Sequence, residues 1–255
     1  MIGRTMTHLM IVPCYNEAQR WNSDYWRDLL QVDGITWLFV NDGSTDNTYE
    51  ILTQFVGENS QNSSYLSLQG NVGKGEAIRS GWLHGLKSNP EKSGEFAGAG
   101  FIDADGAFER VDLERLTNKF TERVFEDSFQ SVWSSRVALA GRNIERHASR
   151  HYIGRLVATF LSTGGHTLPY DTQSGLKLFA TSQEFMGAIQ SRFETRWLFE
   201  MEIVTRLQAD FGAPLKIWEM PLLNWRDVGE SKITKRESFR ILQELRQIKK
   251  LQKKR

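Results

Sequence analysis

The chain has 255 residues, of which 40% are hydrophobic and 25% charged, and it contains one cysteine, Cys14. This composition is typical of a globular protein and excludes a disulfide framework, so a cytoplasmic setting is expected. No run of about 18 apolar residues occurs, so no transmembrane helix is expected. The first seven residues lack the apolar core of a signal peptide.

The net charge of +1 hides a strong asymmetry along the chain. Residues 232–255 contain ten Lys/Arg and two Asp/Glu, a net of +8, whereas residues 1–231 carry 22 Lys/Arg against 29 Asp/Glu, a net of −7. A basic end of this kind predicts an anionic surface as a partner. Nucleic-acid binding is another interpretation of this charge, but no other feature supports it, so no nucleic-acid partner is expected.

Strand and helix patterns alternate along the first half. Short apolar runs predict strands over 9–12, 35–40, 65–68 and 97–102. Apolar residues at helical spacing predict helices over 21–30, 49–56 and 72–86, the second capped by Thr45 and Asp46. This alternation predicts an α/β sheet with helices on both faces.

The second half is less regular. It predicts strands over 130–135, 175–180 and 215–220, and helices over 150–161 and 198–207. No repeat or linker separates domains. We therefore expect one catalytic domain over 1–235, followed by a basic amphipathic helix over 236–255.

Polar clusters follow three of the predicted strands, at 13–17, 41–44 and 103–105. Each cluster alone is typical of a turn. Ligands of α/β sheets bind at the carboxyl ends of the strands, so together the clusters indicate one binding rim.

Asp103 and Asp105 are the most informative pair on this rim. Residues i and i+2 at a strand end point to the same side, and two adjacent carboxylates repel unless a cation or donors hold them. A hard divalent cation with positions left for a diphosphate would suit them, which indicates phosphate-ester or nucleotide chemistry. The alternative is a turn cap.

Motifs spread over residues 9–233 form a recognisable set: 12–17, 40–46, 71–75 and 103–107, then 134–136, 171–179, 196–202 and 229–233. This set resembles family 2 glycosyltransferases of the GT-A fold. Within them it resembles polyprenyl-phosphate glycosyltransferases, especially dolichyl-phosphate β-glucosyltransferases. The resemblance implies a Rossmann-like α/β/α sandwich with a mostly parallel mixed sheet.

The resemblance also implies a binding site for the nucleotide of a sugar donor. Carboxylates such as Glu17 and Asp42 accept hydrogen bonds from a base or ribose. The run 73–75 opens a helix whose free N–H groups favour an anion, and Lys74 adds positive charge there. The alternatives are a turn residue for Asp42 and an ordinary helix start for Lys74. The expected donor residues are Pro13, Tyr15, Glu17, Asp42, Lys74, Asp103 and Ala104.

Asp103 and Asp105 are expected to anchor Mg²⁺ or Mn²⁺ against the donor diphosphate. Some relatives carry a polar ligand two residues after the second Asp, where this chain has Ala107. Metal coordination is therefore expected to rely more on water, on donor phosphates or on a residue such as Gln173, the candidate third protein ligand.

The phosphate of the acceptor requires cations, and guanidinium groups match phosphate oxygens. The candidates are Arg136, Arg150, Arg155 and Lys232, although Arg150 and Arg155 equally fit the solvated face of a helix.

Asp171, Asp105 and Arg136 are the predicted catalytic residues. Asp171 is either a general base, a residue that orients an arginine or helps bind the metal, or an Asx turn. Trp197 and residues 200–202, including Glu200 and Glu202, are expected to supply helix packing and acceptor-side contacts. A bulky residue such as Trp197 is more often in the core than in a site, so a core position is expected for it.

The basic helix over 238–255 places Phe239, Leu242, Leu245, Ile248 and Leu251 on one face. Such helices lie on anionic membranes. The alternative is a helix packed on the body of the protein with a charged tail.

The resulting prediction is an inverting, metal-dependent glycosyltransferase. It would move a hexose, glucose favoured, from a nucleotide sugar, UDP favoured, to a polyprenyl phosphate at the cytoplasmic face of a membrane. One alternative is transfer to a saccharide or another soluble acceptor. Another is a non-catalytic nucleotide-sugar-binding subunit of a membrane complex. A homo-oligomer and a membrane-protein partner are both left open.

Overall fold

The structure, a computed structural model, describes residues 6–87, 96–126, 128–145, 169–226 and 235–253. For residues 125–126, 235–242 and 253 it describes the backbone alone. Three acceptor candidates, Arg150, Arg155 and Lys232, and the predicted helix over 150–161 lie outside the described residues.

Strands and helices alternate from the start of the chain to α4. In chain order the elements are β1 (Thr7–Cys14), α1 (Ser23–Leu29), β2 (Ile35–Asn41), α2 (Thr48–Glu58), β3 (Ser63–Ser67), α3 (Lys74–Lys87), β4 (Phe96–Ile102), α4 (Arg110–Glu126), β5 (Ser131–Ser135), β6 (Asn143–Glu145), β7 (Leu176–Ala180), α5 (Gln183–Gln190), α6 (Phe199–Phe211), β8 (Ile217–Pro221), β9 (Asn224–Arg226) and α7 (Lys235–Lys253).

A mixed seven-stranded sheet in the order β3-β2-β1-β4-β7-β5-β8 forms the centre of the molecule. The pairs β1–β2, β1–β4, β2–β3 and β5–β8 are parallel, whereas β7 is antiparallel to both β4 and β5. Strands β6 and β9 form a separate parallel pair. The predicted mostly parallel mixed sheet is confirmed.

The two faces of the sheet carry separate cores. Along β1, Leu9 and Ile11 pack into one cluster with α3, α5 and α6. Met10 and Val12 pack into the other, with α1, α2 and α4. This follows from the strand period of two, which sends successive side chains to opposite faces. The chain is therefore an α/β/α sandwich, as predicted.

Strand β4 consists largely of small residues because bulky neighbours lie against it. A Cβ atom on Gly98 would come within 2.8 Å of the Phe120 ring, and one on Gly100 within 2.4 Å of the Lys177 carbonyl oxygen. The indole of buried Trp82 also donates to the Gly100 carbonyl at 3.0 Å. Close packing at this strand fixes the position of the acidic pair that follows it.

All seven predicted strands are present, with ends that differ by one or two residues in most cases. The prediction missed α4 and α5. The signal for α4 was available, since Leu113, Leu116 and Phe120 lie at helical spacing and are fully buried. Helix α5 is short, and its local signal is the cap in which the Ser182 hydroxyl accepts from the Phe185 N–H at 3.2 Å.

The C-terminal helix α7 packs on the body through the part whose side chains are described. Leu245 and Ile248 are buried in the core that contains α6, and Leu251 packs against that core. Arg246 and Lys250 are exposed. Contact of this basic face with a membrane stays a prediction. None of the described helices is long and apolar enough to cross a membrane.

His8 gives the fold a testable pH dependence. Its ring is 3% exposed and makes an edge contact with Phe120 at 5.2 Å. Burial lowers the pKa of His8 from 6.5 to about 4, so between these values the unfolded chain binds the proton and the folded chain does not. This contribution to stability is complete above pH 6.5 and is lost as the pH falls toward 4. At pH 5 we expect a loss of about 2 kcal/mol relative to pH 7.

Urea denaturation of the wild type and His8→Gln at pH 7 and pH 5 checks this. The His8→Gln variant is expected to lose less stability between the two pH values, by about 2 kcal/mol. The matched control is His84→Gln, because His84 is exposed on α3. Equal losses in His8→Gln and the wild type would contradict the prediction.

Candidate active site at the carboxyl edge of the sheet

The loops that follow β1 and β2 meet at one edge of the sheet and are hydrogen-bonded to each other. The strands are parallel, with Cys14 opposite Asn41. Asn16 has a φ of 54°, and its N–H donates to the Ser44 hydroxyl at 3.1 Å, while its side-chain oxygen accepts from the Thr45 N–H at 2.9 Å. Asn tolerates this left-handed conformation better than most residues. These bonds hold the first two predicted clusters as one unit.

Asp103 follows β4 at the same edge and is paired with Lys74. Lys74 Nζ lies 2.6 Å from Asp103 Oδ1. Burial disfavours the charged amine, but the carboxylates of Asp103, Glu200 and Asp105 outweigh this and raise the pKa of Lys74. The first residue of α3 is therefore a stable cation beside the acidic pair.

Glycine is required beside Asp103. A Cβ atom on Gly175 would lie 2.1 Å from Asp103 Oδ2, and the Asp103 N–H donates to the Gly175 carbonyl at 2.9 Å. The loop before β7 therefore contacts the acidic pair directly.

Asp105 lies in an environment that disfavours its negative charge. Burial and the neighbouring Asp103 carboxylate raise the pKa of Asp105 to about 6. Its Oδ1 accepts from the Ala107 N–H at 3.2 Å. A divalent cation would favour the ionised form, so two carboxylates with a single amine beside them fit a hard cation.

The described residues contain no group of three or more His, Cys, Asp or Glu side chains able to hold a metal ion. The pair Asp103 and Asp105 would thus be the carboxylate ligands, with other positions filled by diphosphate or water. The side-chain nitrogen of Gln173, the predicted third ligand, donates to the Thr172 carbonyl at 3.4 Å. Its role at a metal stays a prediction.

Asp42 anchors the loop that precedes α3. Its carboxylate accepts from the N–H groups of Val72 and Gly73 at 2.7 and 2.9 Å, and from the Asn71 amide at 3.1 Å. Asp42 is 3% exposed. It therefore shapes the loop at the start of α3, and direct contact with a nucleoside stays a prediction.

The other predicted donor residues differ in exposure. Tyr15 is 43% exposed, whereas Ala104 is buried and Pro13 is half-buried. Glu17 is buried and ion-paired with Arg20, whose Nη2 lies 2.5 Å from Glu17 Oε1.

Arg20 was not among the predicted site residues. The bond to Glu17 and the charges of Asp105 and Asp103 outweigh its partial burial and raise the pKa of Arg20. This arginine therefore links the β1 loop electrostatically to the acidic pair.

Arg136 and Asp171 form a second charged group at this edge. Arg136 donates to both oxygens of Asp171, through Nε at 2.7 Å and Nη2 at 2.8 Å, and its N–H adds a bond of 2.9 Å. The guanidinium lies 5.2 Å from the centre of the Trp225 ring. The N–H of Asp171 donates to Glu219 at 2.9 Å. Among the roles considered for Asp171, this geometry favours orientation of an arginine, because both oxygens already accept hydrogen bonds.

Lys177 and Glu200 form a fully buried ion pair that the sequence interpretation missed. Lys177 Nζ lies 3.4 Å from Glu200 Oε1 and donates to the carbonyls of Thr172 and Ser174 at 3.2 and 2.5 Å. Burial lowers the pKa of Lys177, which the Glu200 charge partly opposes. The amine also lies 4.6 Å from the Trp133 ring centre. Lys177 thereby holds the 171–175 loop in place through hydrogen bonds to two of its carbonyl groups.

The expected packing role of Glu200 and Glu202 agrees with their burial, at 2% and 0% exposed. The expectation that Trp197 lies in the core is wrong, because its side chain is 44% exposed. Trp197 lies in the segment that precedes α6. The backbone N–H groups of this segment point into the protein, whereas the Trp197 indole points outward.

Solved structures share this fold. Glucosyl-3-phosphoglycerate synthase from Mycobacterium tuberculosis, solved with Mn²⁺, UDP and glucosyl-3-phosphoglycerate, has a TM-score of 0.61 at 16% identity, covering 95% of this chain and 78% of that one. The mannosyltransferase PcManGT from Pyrobaculum calidifontis, solved with GDP-Man and Mn²⁺, has a TM-score of 0.60 at 14% identity, covering 94% of this chain and 62% of that one. The fold is GT-A.

Curated relatives are more similar in sequence. Dolichyl-phosphate beta-glucosyltransferase ALG5A of Trichomonas vaginalis is 30% identical over 241 residues, covering 88% of this chain and 67% of the relative. ALG5C of the same organism and the Saccharomyces cerevisiae dolichyl-phosphate beta-glucosyltransferase are each 29% identical over 88% of this chain, and the chain covers 65% and 68% of their lengths. The chain thus spans about two thirds of the length of these relatives.

The glycosyl transferase family 2 model matches residues 10–204, a range that includes both charged groups at the sheet edge. The match covers well over half of the chain, and the sequence relatives and the fold agree with it. The chain therefore belongs to glycosyl transferase family 2.

Proposed function

We propose that this protein is an inverting, metal-dependent glycosyltransferase that moves a hexose, with glucose favoured, from a nucleotide sugar, with UDP favoured, to a polyprenyl phosphate at the cytoplasmic face of a membrane. The observation that carries the proposal is the pairing of two charged groups at one sheet edge. The acidic pair beside Lys74 suits a metal-bound diphosphate, and Arg136, held by Asp171, suits a phosphate acceptor.

The donor half of the proposal rests on charge. Asp103 and Asp105 would hold Mg²⁺ or Mn²⁺, which when bound supplies positive charge to the departing diphosphate. Lys74 opens α3, and the amino end of a helix adds a favourable field for an anion. Two of the structural neighbours were solved with Mn²⁺ together with UDP or GDP-Man.

The acceptor half rests on the Arg136–Asp171 pair. A lipid phosphate is already ionised near neutral pH, so it needs orientation and charge compensation more than removal of a proton. Asp171 fixes the plane of the guanidinium through two side-chain bonds. A planar fork held in this way matches phosphate oxygens. The curated relatives are named as dolichyl-phosphate glucosyltransferases, and Arg150, Arg155 and Lys232 remain candidates for further phosphate contacts.

Membrane contact is assigned to the C-terminal helix. In this arrangement a catalytic domain spans 1–235 and a basic helix spans 236–255. Residues 232–255 carry a net charge of +8, and Arg246 and Lys250 on α7 are exposed while Leu245 and Ile248 face the body. An outward basic face would bring the site to an anionic bilayer, where each Lys or Arg contributes roughly 1 kcal/mol.

Loss of the second carboxylate of the acidic pair tests the donor site. Asp105→Asn is expected to lower transfer to polyprenyl phosphate by at least about a hundredfold, because it removes a negative ligand of the cation that stabilises the leaving group. Calorimetry with UDP-glucose, other UDP-sugars and GDP-mannose in Mn²⁺ measures binding, and product formation on detergent-solubilised lipid phosphate measures transfer.

The matched control is Asp24→Asn, since the Asp24 side chain is 94% exposed on α1. Full transfer by Asp105→Asn in the presence of Mn²⁺ would contradict the metal role. Failure of every nucleotide sugar to bind the wild type would overturn the donor site. Transfer to free sugars instead of lipid phosphate would show that the acceptor is soluble. Binding of a nucleotide sugar without turnover would show that the protein is a non-catalytic subunit.

Substitutions in the second charged group test the acceptor site. Arg136→Lys and Asp171→Asn are each expected to raise KM for the lipid phosphate about tenfold, since both lose the oriented fork. The affinity for the nucleotide sugar should stay near that of the wild type. The measurement is initial-rate kinetics with each substrate varied in turn.

The control for Arg136→Lys is Arg226→Lys, at an arginine that is 77% exposed and paired with Glu145. A general base would behave differently. If Asp171→Asn lowered kcat with an unchanged KM and altered the pH profile of the rate, the orienting role of Asp171 would be wrong.

Charge reversal on α7 tests the membrane contact. The double variant Arg246→Glu and Lys250→Glu is expected to bind vesicles containing anionic phospholipid at least about tenfold more weakly than the wild type. Cosedimentation at low and high salt measures this, and the difference should shrink as salt screens the charges. Equal binding by the variant and the wild type would exclude this face as the contact.

A further inference from the structure

The segment 193–198, which leads into α6, is held by an unusual set of bonds. Six consecutive backbone N–H groups donate to three carboxylates, each on a different helix. Glu76 of α3 accepts from Phe193 at 2.8 Å, Glu202 of α6 accepts from Glu194 and Thr195 at 3.0 and 2.8 Å, and Glu244 of α7 accepts from Arg196, Trp197 and Leu198 at 3.0, 2.8 and 2.9 Å.

Glu244 anchors the segment that enters α6. Leu198 is the N-cap residue of this helix and has no side chain that could accept a backbone N–H. Glu244, which is 7% exposed and lies 46 residues beyond Leu198, accepts from the N–H of Leu198 and from those of the two residues before it. Burying a carboxylate is costly unless donors surround it, and these N–H groups supply the donors.

Arg196 connects the 193–198 segment to the donor side of the site. Its guanidinium donates to the side-chain oxygen of Asn71. Its side chain also covers Gly73, because a Cβ atom there would lie 2.4 Å from Arg196 Nε, and Gly73 has a φ of +94°. Gly73 donates to Asp42 and is followed by Lys74, which pairs with Asp103. Contacts therefore run from the C-terminal helix to the acidic pair.

We propose that Glu244 is a positioning residue of the donor site, acting from the C-terminal helix. By holding Arg196 it keeps the 71–73 loop closed on Asp42 and sets Lys74 against the acidic pair. The part of this inference that concerns donor affinity rests on the proposed function. If Glu244 only anchored the entry to α6, its loss would leave the 71–73 loop and the donor affinity unchanged.

Hydrogen exchange of the ligand-free protein tests the coupling without any nucleotide. In Glu244→Gln an NH₂ group, which cannot accept a hydrogen bond, replaces one carboxylate oxygen. The amides of Val72 and Gly73, which donate to Asp42, are expected to exchange at least about tenfold faster than in the wild type. The matched control is Gln243→Ala, at the exposed neighbour on α7. Unchanged exchange at these amides would overturn the inference.

A double-mutant cycle tests the effect on the donor. Glu244→Gln and Arg196→Ala are each expected to weaken binding of UDP-glucose with Mn²⁺ about tenfold, and the double variant to be no weaker than either, because both act through the same contact. KM for the lipid acceptor should not move. Additive losses, or an unchanged affinity in Glu244→Gln, would overturn the inference.

Two further outcomes are separable. Should Glu244→Gln fail to fold, Arg196→Ala decides, because Arg196 is exposed and its loss removes the same contact with the 71–73 loop. Faster exchange at Val72 and Gly73 in that variant supports the inference, and unchanged exchange overturns it. Should the wild type bind no nucleotide sugar, the proposed function falls, while the exchange rates still decide whether Glu244 positions the loop.

Discussion

Charge balance at the carboxyl edge of the sheet is the constraint on which the site depends. The parallel strands β1, β2 and β4 end together, and their loops bring Glu17, Asp103 and Asp105 to one edge. Neighbouring carboxylates such as Asp103 and Asp105 are costly unless cations offset them. Arg20 lies against Glu17, and Lys74 lies against Asp103. The pKa of Asp105 is still raised to about 6, and a bound divalent ion would favour its ionised form.

The loop over 171–175 joins the two charged groups of the site. At its start Asp171 holds Arg136, and at its end Gly175 lies so close to Asp103 that no side chain fits between them. The loop itself is held by Lys177, whose buried amine bonds to two of its carbonyls. The loop therefore contacts both charged groups within a few residues of backbone. The antiparallel strand β7 makes this possible, because it starts at the edge where β4 ends.

The sequence predicted the sheet well because the relevant signals are local. Apolar runs bounded by polar turn residues identified all seven strands of the main sheet, and the parallel order of β1, β2 and β4 placed Asp42, Glu17 and the acidic pair on one rim. Helices α4 and α5 were missed although their patterns were readable. The prediction of a buried Trp197 failed because it rested on the size of the side chain alone. The backbone N–H groups of this segment point inward and donate to buried carboxylates, which leaves the Trp197 side chain exposed.

The partners that position the site were beyond sequence interpretation for a physical reason. Lys177 and Glu200 are charged residues in fully buried places, where pattern rules expect apolar side chains. Glu244 lies in a segment whose most obvious signal is its basic charge, and nothing near it indicates a link to α6. Such contacts join residues that are distant along the chain, so only the fold brings them together. A glutamate in a basic helix is informative for that reason: its burial requires donors, and the donors that it finds belong to the segment that carries Arg196.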